Sequence, residues 1–359
     1  MKVVICGGGN LAHAFVGELG NNPYIDELSI VTRKPTKWQK NISVYYNHTF
    51  NHKVTLTNIT DSFEILKDTD LIILTLPTNI KLSYINKIKN YVSLNTILIT
   101  APSIGGINFA FEKDFPCNKY ICFQRVPYIC RTIQYGSSVN TEVKKEVEVY
   151  FSKNSNQETR KILQKILNLP FKELASYWTL SLSNSNPILH IAGICEILKQ
   201  NYPYTYLPKL YDVWSDYASE LSLGMDNELA TITEKLKISD YHSLYNHYQV
   251  KNSQDLTQKL KSIKSFKDVL APLQKINDKF YIDKTSRYIV EDLPYGTCFI
   301  KYIASILNIE TPNIDFAIRQ VQPFMDIEFV SSDGKFNIEN WKKVTHFKFD
   351  KVIRDELGI

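Results

Sequence analysis

The feature that most constrains the fold is a run of three glycines between an apolar segment and a helix-like segment near the start of the chain. Lys2–Cys6 is apolar and β-branched, and Gly7-Gly8-Gly9-Asn10-Leu11-Ala12 follows it directly. In a strand–turn–helix unit with this G-x-G-x-x-A pattern, the glycines permit a tight turn and a close approach of pyrophosphate to the backbone. The helix N-terminus then favours the anion. The residues predicted to bind a dinucleotide here are Gly7, Gly9, Asn10, Leu11 and Ala12.

The alternative interpretation of this pattern is a purely structural glycine turn. Its position between a strand and a helix, at the beginning of an alternating pattern, favours the dinucleotide. His13, the next residue, is interpreted as a helix-surface or packing residue and not as a catalyst.

Strand-like and helix-like segments alternate through the rest of the first half. Apolar runs lie at Leu28–Thr32, Val54–Thr57, Leu71–Leu76, Thr96–Ala101 and Tyr120–Phe123. Strands buried on both faces read as continuous apolar runs, so the alternation predicts an α/β Rossmann fold with a doubly wound parallel sheet. The inner strand Asp70–Leu76 ends at Pro77, at the carboxyl edge where ligands bind, and Pro77 is predicted to contact the dinucleotide.

The second half is mostly helical in pattern from about Tyr177 onward. The helix-like ranges are Ile188–Lys199, Lys209–Leu223, Asn227–Lys237 and Leu293–Leu307. A chain of 359 residues exceeds the size at which one core stops growing. We therefore expect a dinucleotide-binding Rossmann domain over residues 1–178 and an α-helical domain for substrate binding and catalysis over residues 179–359.

Charge and cysteine usage give no support to several classes of function. The net charge of +5 is no argument for a nucleic-acid partner. The six cysteines form no C-x-x-C pair and no cluster with zinc spacing, so no metal site is predicted. With no leader-like segment and no apolar run near 18 residues, we expect a cytoplasmic protein without a membrane partner. A homodimer is an expectation that no sequence signal supports.

The end of the second strand distinguishes between the two nicotinamide dinucleotides. An NAD enzyme usually has a carboxylate there for the ribose hydroxyls. Here the strand ends in Thr32-Arg33-Lys34, and the two cations could bind a 2′-phosphate. The pattern therefore predicts NADP(H) as the preferred cofactor, with NAD(H) also open. A solvated basic loop is the alternative.

Two segments of the second half carry residue types suited to acid–base chemistry. In the first, Asn186-Pro187 looks like a helix start, with Asn186 as the N-cap and His190 one turn later on the same face. His190 is a candidate general acid or base. The alternative is a core histidine on an apolar helix.

The second segment is Ser286–Gly296, which contains Arg287 and Asp292. Asp292 could orient His190, or it could simply cap a helix that starts near Leu293. Arg287 could bind a carboxylate through its planar fork, or be a surface charge. Spacing alone does not show that Asp292 meets His190.

Several motifs together resemble the opine dehydrogenases, the octopine/nopaline dehydrogenase family. The motifs that carry the resemblance are Gly7-Gly8-Gly9-Asn10, Thr75-Leu76-Pro77, Val126–Arg131, Asn186–His190, Arg287–Pro294 and Glu310–Asp315. They span nearly the whole chain, and the Arg-Tyr-x-x-Glu-Asp-x-Pro stretch is the most specific of them. One departure is Ile191, where the family often has proline after the histidine.

The resemblance implies an NAD(P)H-dependent enzyme that joins an amino acid to a 2-oxo acid through an imine and then reduces it. It implies that His190 is the catalytic acid/base, that Asp292 orients it and that Arg287 holds the oxo acid's carboxylate. Asn186 is a further candidate for substrate binding. Pyruvate is the default oxo acid, and the amino acid is not specified.

Two alternatives remain. One is a two-domain reductase of a 2-oxo or 3-hydroxy acid, of the ketopantoate reductase or glycerol-phosphate dehydrogenase type. Such enzymes generally use a lysine in the helical domain, and no lysine here lies in a recognisable motif of that kind. The other is a dinucleotide-binding protein without turnover, against which the joint presence of His190, Arg287 and Asp292 argues.

Overall fold

The computed structural model describes residues 1–117 and 119–358. It divides into two compact units, Met1–Ser181 and Leu182–Ile359. The strands, in chain order, are β1 (Lys2–Cys6), β2 (Glu27–Val31), β3 (Asn41–Tyr46), β4 (Thr49–Thr55), β5 (Ile59–Thr60), β6 (Leu71–Leu74), β7 (Ile97–Thr100), β8 (Lys119–Phe123), β9 (Tyr128–Gln134), β10 (Ser138–Val143), β11 (Val147–Phe151), β12 (Phe171–Glu173), β13 (Leu273–Ile276) and β14 (Lys279–Ile282).

The α-helices follow the same order. They are α1 (Asn10–Leu19), α2 (Thr78–Ile88), α3 (Asn108–Asp114), α4 (Gln157–Ile166), α5 (Tyr177–Leu182), α6 (Asn186–Lys199), α7 (Asp216–Lys235), α8 (Leu244–Tyr248), α9 (Ser253–Ser262), α10 (Cys298–Ile306), α11 (Pro312–Val321), α12 (Ile338–Thr345) and α13 (Asp350–Leu357). A π-helical segment covers Tyr288–Thr297. Short 3-10 helices cover Pro35–Lys37, Phe63–Leu66, Lys89–Tyr91, Lys264–Phe266 and Gln322–Met325.

The first unit is organised around an eight-stranded sheet of order β12-β11-β8-β7-β6-β1-β2-β5. Strand β1 lies inside it, pairs in parallel with β2 and β6, and has four of its five residues buried. This confirms the predicted parallel Rossmann sheet. One pairing differs, because β11 runs antiparallel to β8.

A second, four-stranded sheet of order β4-β3-β10-β9 was not expected from the sequence. The predicted inner strand Val54–Thr57 is wrong in this respect, because Val54 belongs to β4, which pairs antiparallel with β3. Val54 is buried in the same core as the apolar side of α1. A short apolar run does not reveal which sheet it joins, so its pattern fits the larger sheet as well as the smaller one.

The second unit is helical, apart from the β13–β14 hairpin. Helices α6, α7 and α11 contact one another. The two helices predicted over Lys209–Leu223 and Asn227–Lys237 are one helix, α7, which begins where the Ser215 side chain accepts a hydrogen bond from the backbone N–H of Tyr217. None of the described helices is long and apolar enough to span a membrane.

Candidate active site

The first turn of the glycine-rich loop is made by Gly7. Its φ is +141°, a conformation that residues with a Cβ rarely adopt, and its N–H donates to the Val31 carbonyl at 3.0 Å. A Cβ at this position would lie 2.2 Å from Oγ1 of Thr75. Because the Thr75 hydroxyl donates to the Cys6 carbonyl at 3.0 Å, it also fastens the end of β6 to the end of β1.

Gly9 faces open space and is the N-cap residue of α1. A Cβ added there would meet no heavy atom within 4 Å, and no side chain caps the helix. The first N–H groups of a helix lack intrahelical acceptors, so those of Asn10, Leu11 and Ala12 can bind an anion in that space. The arrangement therefore fits the pyrophosphate of a dinucleotide.

Asn10 has a structural contact that the sequence did not reveal. Its Oδ1 accepts a hydrogen bond from the backbone N–H of Thr132 at 2.9 Å. Thr132 belongs to β9, so the side chain at the start of α1 holds the small sheet against the glycine-rich loop.

The end of β2 carries the two predicted cations. Thr32 is buried, whereas the side chains of Arg33 and Lys34 are exposed. Pro77 is also exposed and immediately precedes α2. Strands β2, β1 and β6 are neighbours in parallel, so their carboxyl ends bring Thr32, Gly7 and Pro77 to one edge of the sheet.

His13 is a buried packing residue that anchors the glycine-rich loop. Its Nδ1 donates to the Gly9 carbonyl at 2.8 Å, and its Nε2 accepts from the backbone N–H of Gly136 at 2.8 Å. The ring stacks on Trp38, with centroids 4.1 Å apart. Burial lowers the pKa of His13, which favours the neutral ring that these two hydrogen bonds require.

In the second unit, His190 and Asp292 meet although 102 positions separate them. Nδ1 of His190 lies 2.7 Å from Oδ2 of Asp292. His190 stands on α6 and Asp292 in the π-helical segment, and the two elements are joined where the Thr297 hydroxyl donates to the Pro187 carbonyl at 2.8 Å. The side chain of Asp292 is fully buried, and that of His190 is 13% exposed.

The charge on Asp292 is stabilised by its neighbours. Burial on its own would raise its pKa, but His190 and Arg287 outweigh this effect and hold the pKa below its ordinary value. An ionised Asp292 takes its hydrogen bond from a proton on Nδ1 of His190, which leaves Nε2 for other chemistry. The His190 ring is stacked on the Tyr288 ring, with centroids 3.9 Å apart and an interplanar angle of 8°, and this stacking fixes its orientation.

Arg287 lies immediately before the π-helical segment and faces two carboxylates. Its Nε is 3.6 Å from Oδ2 of Asp292 and 3.5 Å from Oε2 of Glu291. The two carboxylates raise its pKa despite an opposing effect of burial. Because its side chain is 48% exposed, the guanidinium can also meet a carboxylate that arrives from solvent.

Two helix starts differ from the predictions. Asn186 is the first residue of α6 and not its N-cap; Ser185 occupies that position, and the Asn184 side chain accepts from the N–H of Asn186 at 3.0 Å. Asp292 caps no helix, because the helical segment begins four residues earlier, at Tyr288. Pro294 lies inside this segment, whose π-helical turns accommodate it.

No group of three or more His, Cys, Asp or Glu side chains in the described ranges could hold a metal ion.

Comparison with known proteins finds sequence similarity to opine dehydrogenases. A sequence model described as NAD/NADP octopine/nopaline dehydrogenase, alpha-helical domain, matches residues 173–325. The chain is 24% identical to a tauropine dehydrogenase of Arabella iricolor, with 93% of this chain and 94% of the relative aligned. It is 22% identical to an octopine dehydrogenase of Mizuhopecten yessoensis, over 90% of this chain and 89% of the relative.

Solved structures support the fold over the full length. A structure of octopine dehydrogenase with NADH and L-arginine superposes with a TM-score of 0.85 at 19% identity, covering 100% of this chain and 98% of the other. A ketopantoate reductase from Ralstonia eutropha reaches a TM-score of 0.63 at 11% identity, over 91% of this chain and 99% of the other. In sequence along both units, and in fold, the chain is therefore similar to the opine dehydrogenases, a family of NAD(P)-dependent oxidoreductases.

Proposed function

We propose that this protein catalyses the reductive condensation of an amino acid with a 2-oxo acid, with pyruvate as the default oxo acid, and that the reaction is reversible. The observation that carries the proposal is the pair formed by His190 and the buried Asp292, with Arg287 beside it. In this reaction an amine and a ketone lose water to form an imine, and the imine carbon is then reduced to give a secondary amine.

His190 is proposed as the catalytic acid/base. A protonated imine accepts a hydride more readily than a neutral one, so a positioned acid accelerates the step. With Nδ1 directed at Asp292, Nε2 of the imidazolium is the atom that donates a proton to the imine nitrogen. In the reverse direction the same nitrogen accepts it.

Asp292 is proposed as the group that orients His190 and stabilises its protonated form. Its lowered pKa keeps it ionised at neutral pH, and its burial strengthens the interaction with a positive ring. Tyr288, stacked on the imidazole, restricts rotation of the ring.

Arg287 is proposed to bind the carboxylate of the oxo acid. Its contacts with Glu291 and Asp292 hold the side chain in place, while its exposed portion can form a bidentate pair. Binding of this kind fixes the reacting carbon and lowers the entropic cost of the reaction. Asn186, half-buried at the start of α6 and one turn before His190, is proposed to contact the substrate.

The first unit is proposed to bind the dinucleotide, with NADPH preferred over NADH. When bound, the cofactor supplies the hydride. Support for the preference comes from the end of β2, where Arg33 and Lys34 are exposed. Relatives do not decide it, since octopine dehydrogenase has been solved with NADH and yersinopine dehydrogenase with NADP+.

The preference is tested with Arg33→Ala. A charge-assisted hydrogen bond to a phosphate contributes about 1.5–3 kcal/mol, so the ratio of kcat/KM for NADPH over NADH should fall about tenfold or more. Lys40→Ala, another exposed cation of this unit, serves as the control. An unchanged ratio in Arg33→Ala would contradict the NADPH preference.

The assignment of substrates is tested by following cofactor absorbance. NADPH, and separately NADH, is mixed with pyruvate and each member of a panel of amino acids and amines, including arginine and agmatine. Arginine and agmatine are chosen because octopine dehydrogenase has been solved with each of them. We expect oxidation only when the oxo acid and one amine are both present.

Each oxo acid is also tested alone. Oxidation with an oxo acid and no amine would replace the proposal by a ketone-reductase activity, such as that of the ketopantoate reductases that share the fold. Binding of the dinucleotide without oxidation under any pair of substrates would reject turnover altogether.

The protein is also proposed to act in the cytoplasm. All six cysteines are free, which suits a reducing compartment. A homodimer is proposed by default, and sedimentation analysis of the purified protein tests it.

A further inference from the structure

Tyr135 lies beside the glycine-rich loop although it belongs to the small sheet. It follows β9 in the turn that leads to β10. Its ring packs edge-to-face with those of His13 and Trp38, at centroid distances of 5.3 and 6.0 Å. The side chain is 40% exposed, so one part of the phenol is packed and another part faces solvent.

The turn that carries Tyr135 is held firmly. The N–H of Gly136 donates to Nε2 of His13 at 2.8 Å, and the carbonyl of Gly136 accepts from the N–H of Gln39 at 2.8 Å. His13 is itself bonded to the Gly9 carbonyl. The turn and the glycine-rich loop are therefore connected through one imidazole ring.

The hydroxyl of Tyr135 is directed at the middle glycine of the loop. A Cβ on Gly8 would lie 2.8 Å from the Tyr135 hydroxyl oxygen and 2.7 Å from Oγ1 of Thr32. These two hydroxyl oxygens are consequently no more than 5.5 Å apart. Any larger residue at position 8 would displace them, and glycine at this position keeps both near the loop.

The position of the Tyr135 hydroxyl relative to Gly8 and Thr32 matters for binding the dinucleotide. In a G-x-G-x-x-A unit the glycine-rich turn and the end of the second strand enclose the adenosine ribose and its 2′ substituent. Thr32 ends that strand, and Arg33 follows it. A phenol is a hydrogen-bond donor and suits a phosphate oxygen, and no carboxylate in Thr32-Arg33-Lys34 competes for the position.

We propose that the hydroxyl of Tyr135 forms part of the subsite for the adenosine 2′-phosphate and contributes to the preference for NADPH. Tyr135 is a specificity-determining residue and not a catalytic one. The inference rests on the dinucleotide-binding part of the proposed function but not on the identity of the substrates.

The test is direct binding of ligands to Tyr135→Phe, which removes the hydroxyl and keeps the ring. Calorimetry with NADPH and NADH gives the dissociation constants without any turnover. Adenosine 2′,5′-bisphosphate and ADP are the matching fragments with and without the 2′-phosphate. Tyr24→Phe, at another exposed tyrosine of the same unit, is the control.

We expect Tyr135→Phe to weaken the binding of NADPH and of the 2′,5′-bisphosphate about tenfold, the loss of one hydrogen bond to a charged group. NADH and ADP should change less than about threefold, and Tyr24→Phe should change none of the four. A merely structural role would weaken all four ligands alike and lower the melting temperature.

Equal loss for all ligands, or no loss for any, would overturn the proposal. The selective loss would stand even if no amine and oxo acid were found to react, because binding is measured without substrates. Failure of the substrate proposal and failure of this one are therefore distinguishable.

Discussion

The glycine-rich loop of the first unit and the His190 site of the second unit are built in opposite ways. The loop consists of contiguous residues and presents backbone N–H groups at the start of α1. The His190 site consists of side chains from two helical segments, and its central hydrogen bond joins residues 102 positions apart.

Because of this difference, the two sites should respond differently to substitution. A site made of backbone N–H groups tolerates any side chain that leaves the ligand's space open. Only substitutions that fill this space should weaken binding. A side-chain site depends on the identity and charge of each member, because the Asp292 carboxylate is fully buried and lies beside His190 and Arg287. Substitutions should therefore affect binding of the dinucleotide in the first unit, and binding and reaction of the substrates in the second.

The largest expected effect is on His190. His190→Asn keeps a hydrogen-bond donor toward Asp292 but removes the proton-transferring nitrogen. We expect kcat to fall by about 10²–10⁴, the usual contribution of a general acid. The dissociation constant for NADPH and the melting temperature should change little. His48→Asn, on the exposed surface of the first unit, is the control. Full turnover in a folded His190→Asn would reject its catalytic role.

Arg287 should affect the oxo acid more than the amine or the cofactor. Arg287→Lys keeps the charge and loses the planar fork. The lost hydrogen bonding to a carboxylate corresponds to about 1.5–3 kcal/mol, or roughly 10- to 100-fold in kcat/KM for the oxo acid. Steady-state kinetics with each substrate varied in turn checks this, with Arg319→Lys as the matched control in the same unit. A rise in KM for the amine alone would assign Arg287 to the other substrate.

Substitutions at two glycines of the loop should distinguish an effect on stability from an effect on dinucleotide binding. Gly7→Ala combines a positive φ with a contact at 2.2 Å, so it should cost about 1–3 kcal/mol of the free energy of unfolding. Gly9→Ala meets no atom within 4 Å and should leave stability nearly unchanged.

In Gly9→Ala the methyl group instead occupies the space proposed for the pyrophosphate, and NADPH binding should weaken about tenfold, or ~1.4 kcal/mol. Thermal unfolding and calorimetry measure the two quantities separately. Normal NADPH affinity in Gly9→Ala would place the pyrophosphate elsewhere.

The smallest effect concerns pH. Burial lowers the pKa of His13 below 6.5, so the unfolded chain binds a proton there before the folded chain does. The free energy of unfolding should therefore decrease as the pH falls below 6.5, by at most ~1.4 kcal/mol per pH unit from this residue. Denaturant titrations of the wild type and His13→Gln between pH 6.5 and 5.5 test this. An identical pH slope in both proteins would contradict it.

The contrast between the two regions also explains how far sequence reasoning could go. The strand, the glycines and α1 are adjacent in the chain, so their pattern predicted the parallel sheet and the helix start. The sequence did not predict the second sheet, because Val54 lies in a short apolar run that fits either sheet. The position of Tyr135 was not predicted for a different reason: it is far from Gly8 in the chain, and only the folded β9–β10 turn brings the two together.

In the second unit, sequence patterns and family resemblance identified His190 and Asp292 as candidates but not their contact. The spacing suggested that Asp292 preceded a helix, whereas a π-helical segment encloses it. π-helical turns are rare, so a sequence pattern does not lead one to expect them. The hydrogen bond between Asp292 and His190 joins residues 102 positions apart, and sequence spacing carries no sign of it.

The central claim is that one site unites an amine with an oxo acid and reduces the carbon between them. The direct measurement is a reaction with NADPH carrying deuterium at the transferable position of the nicotinamide, together with pyruvate and the best amine of the panel. Mass spectrometry and proton NMR locate the label in the product. The account predicts a secondary amine with one deuterium on the former carbonyl carbon. Deuterium found only in a hydroxy acid would contradict it and identify a ketone reductase instead.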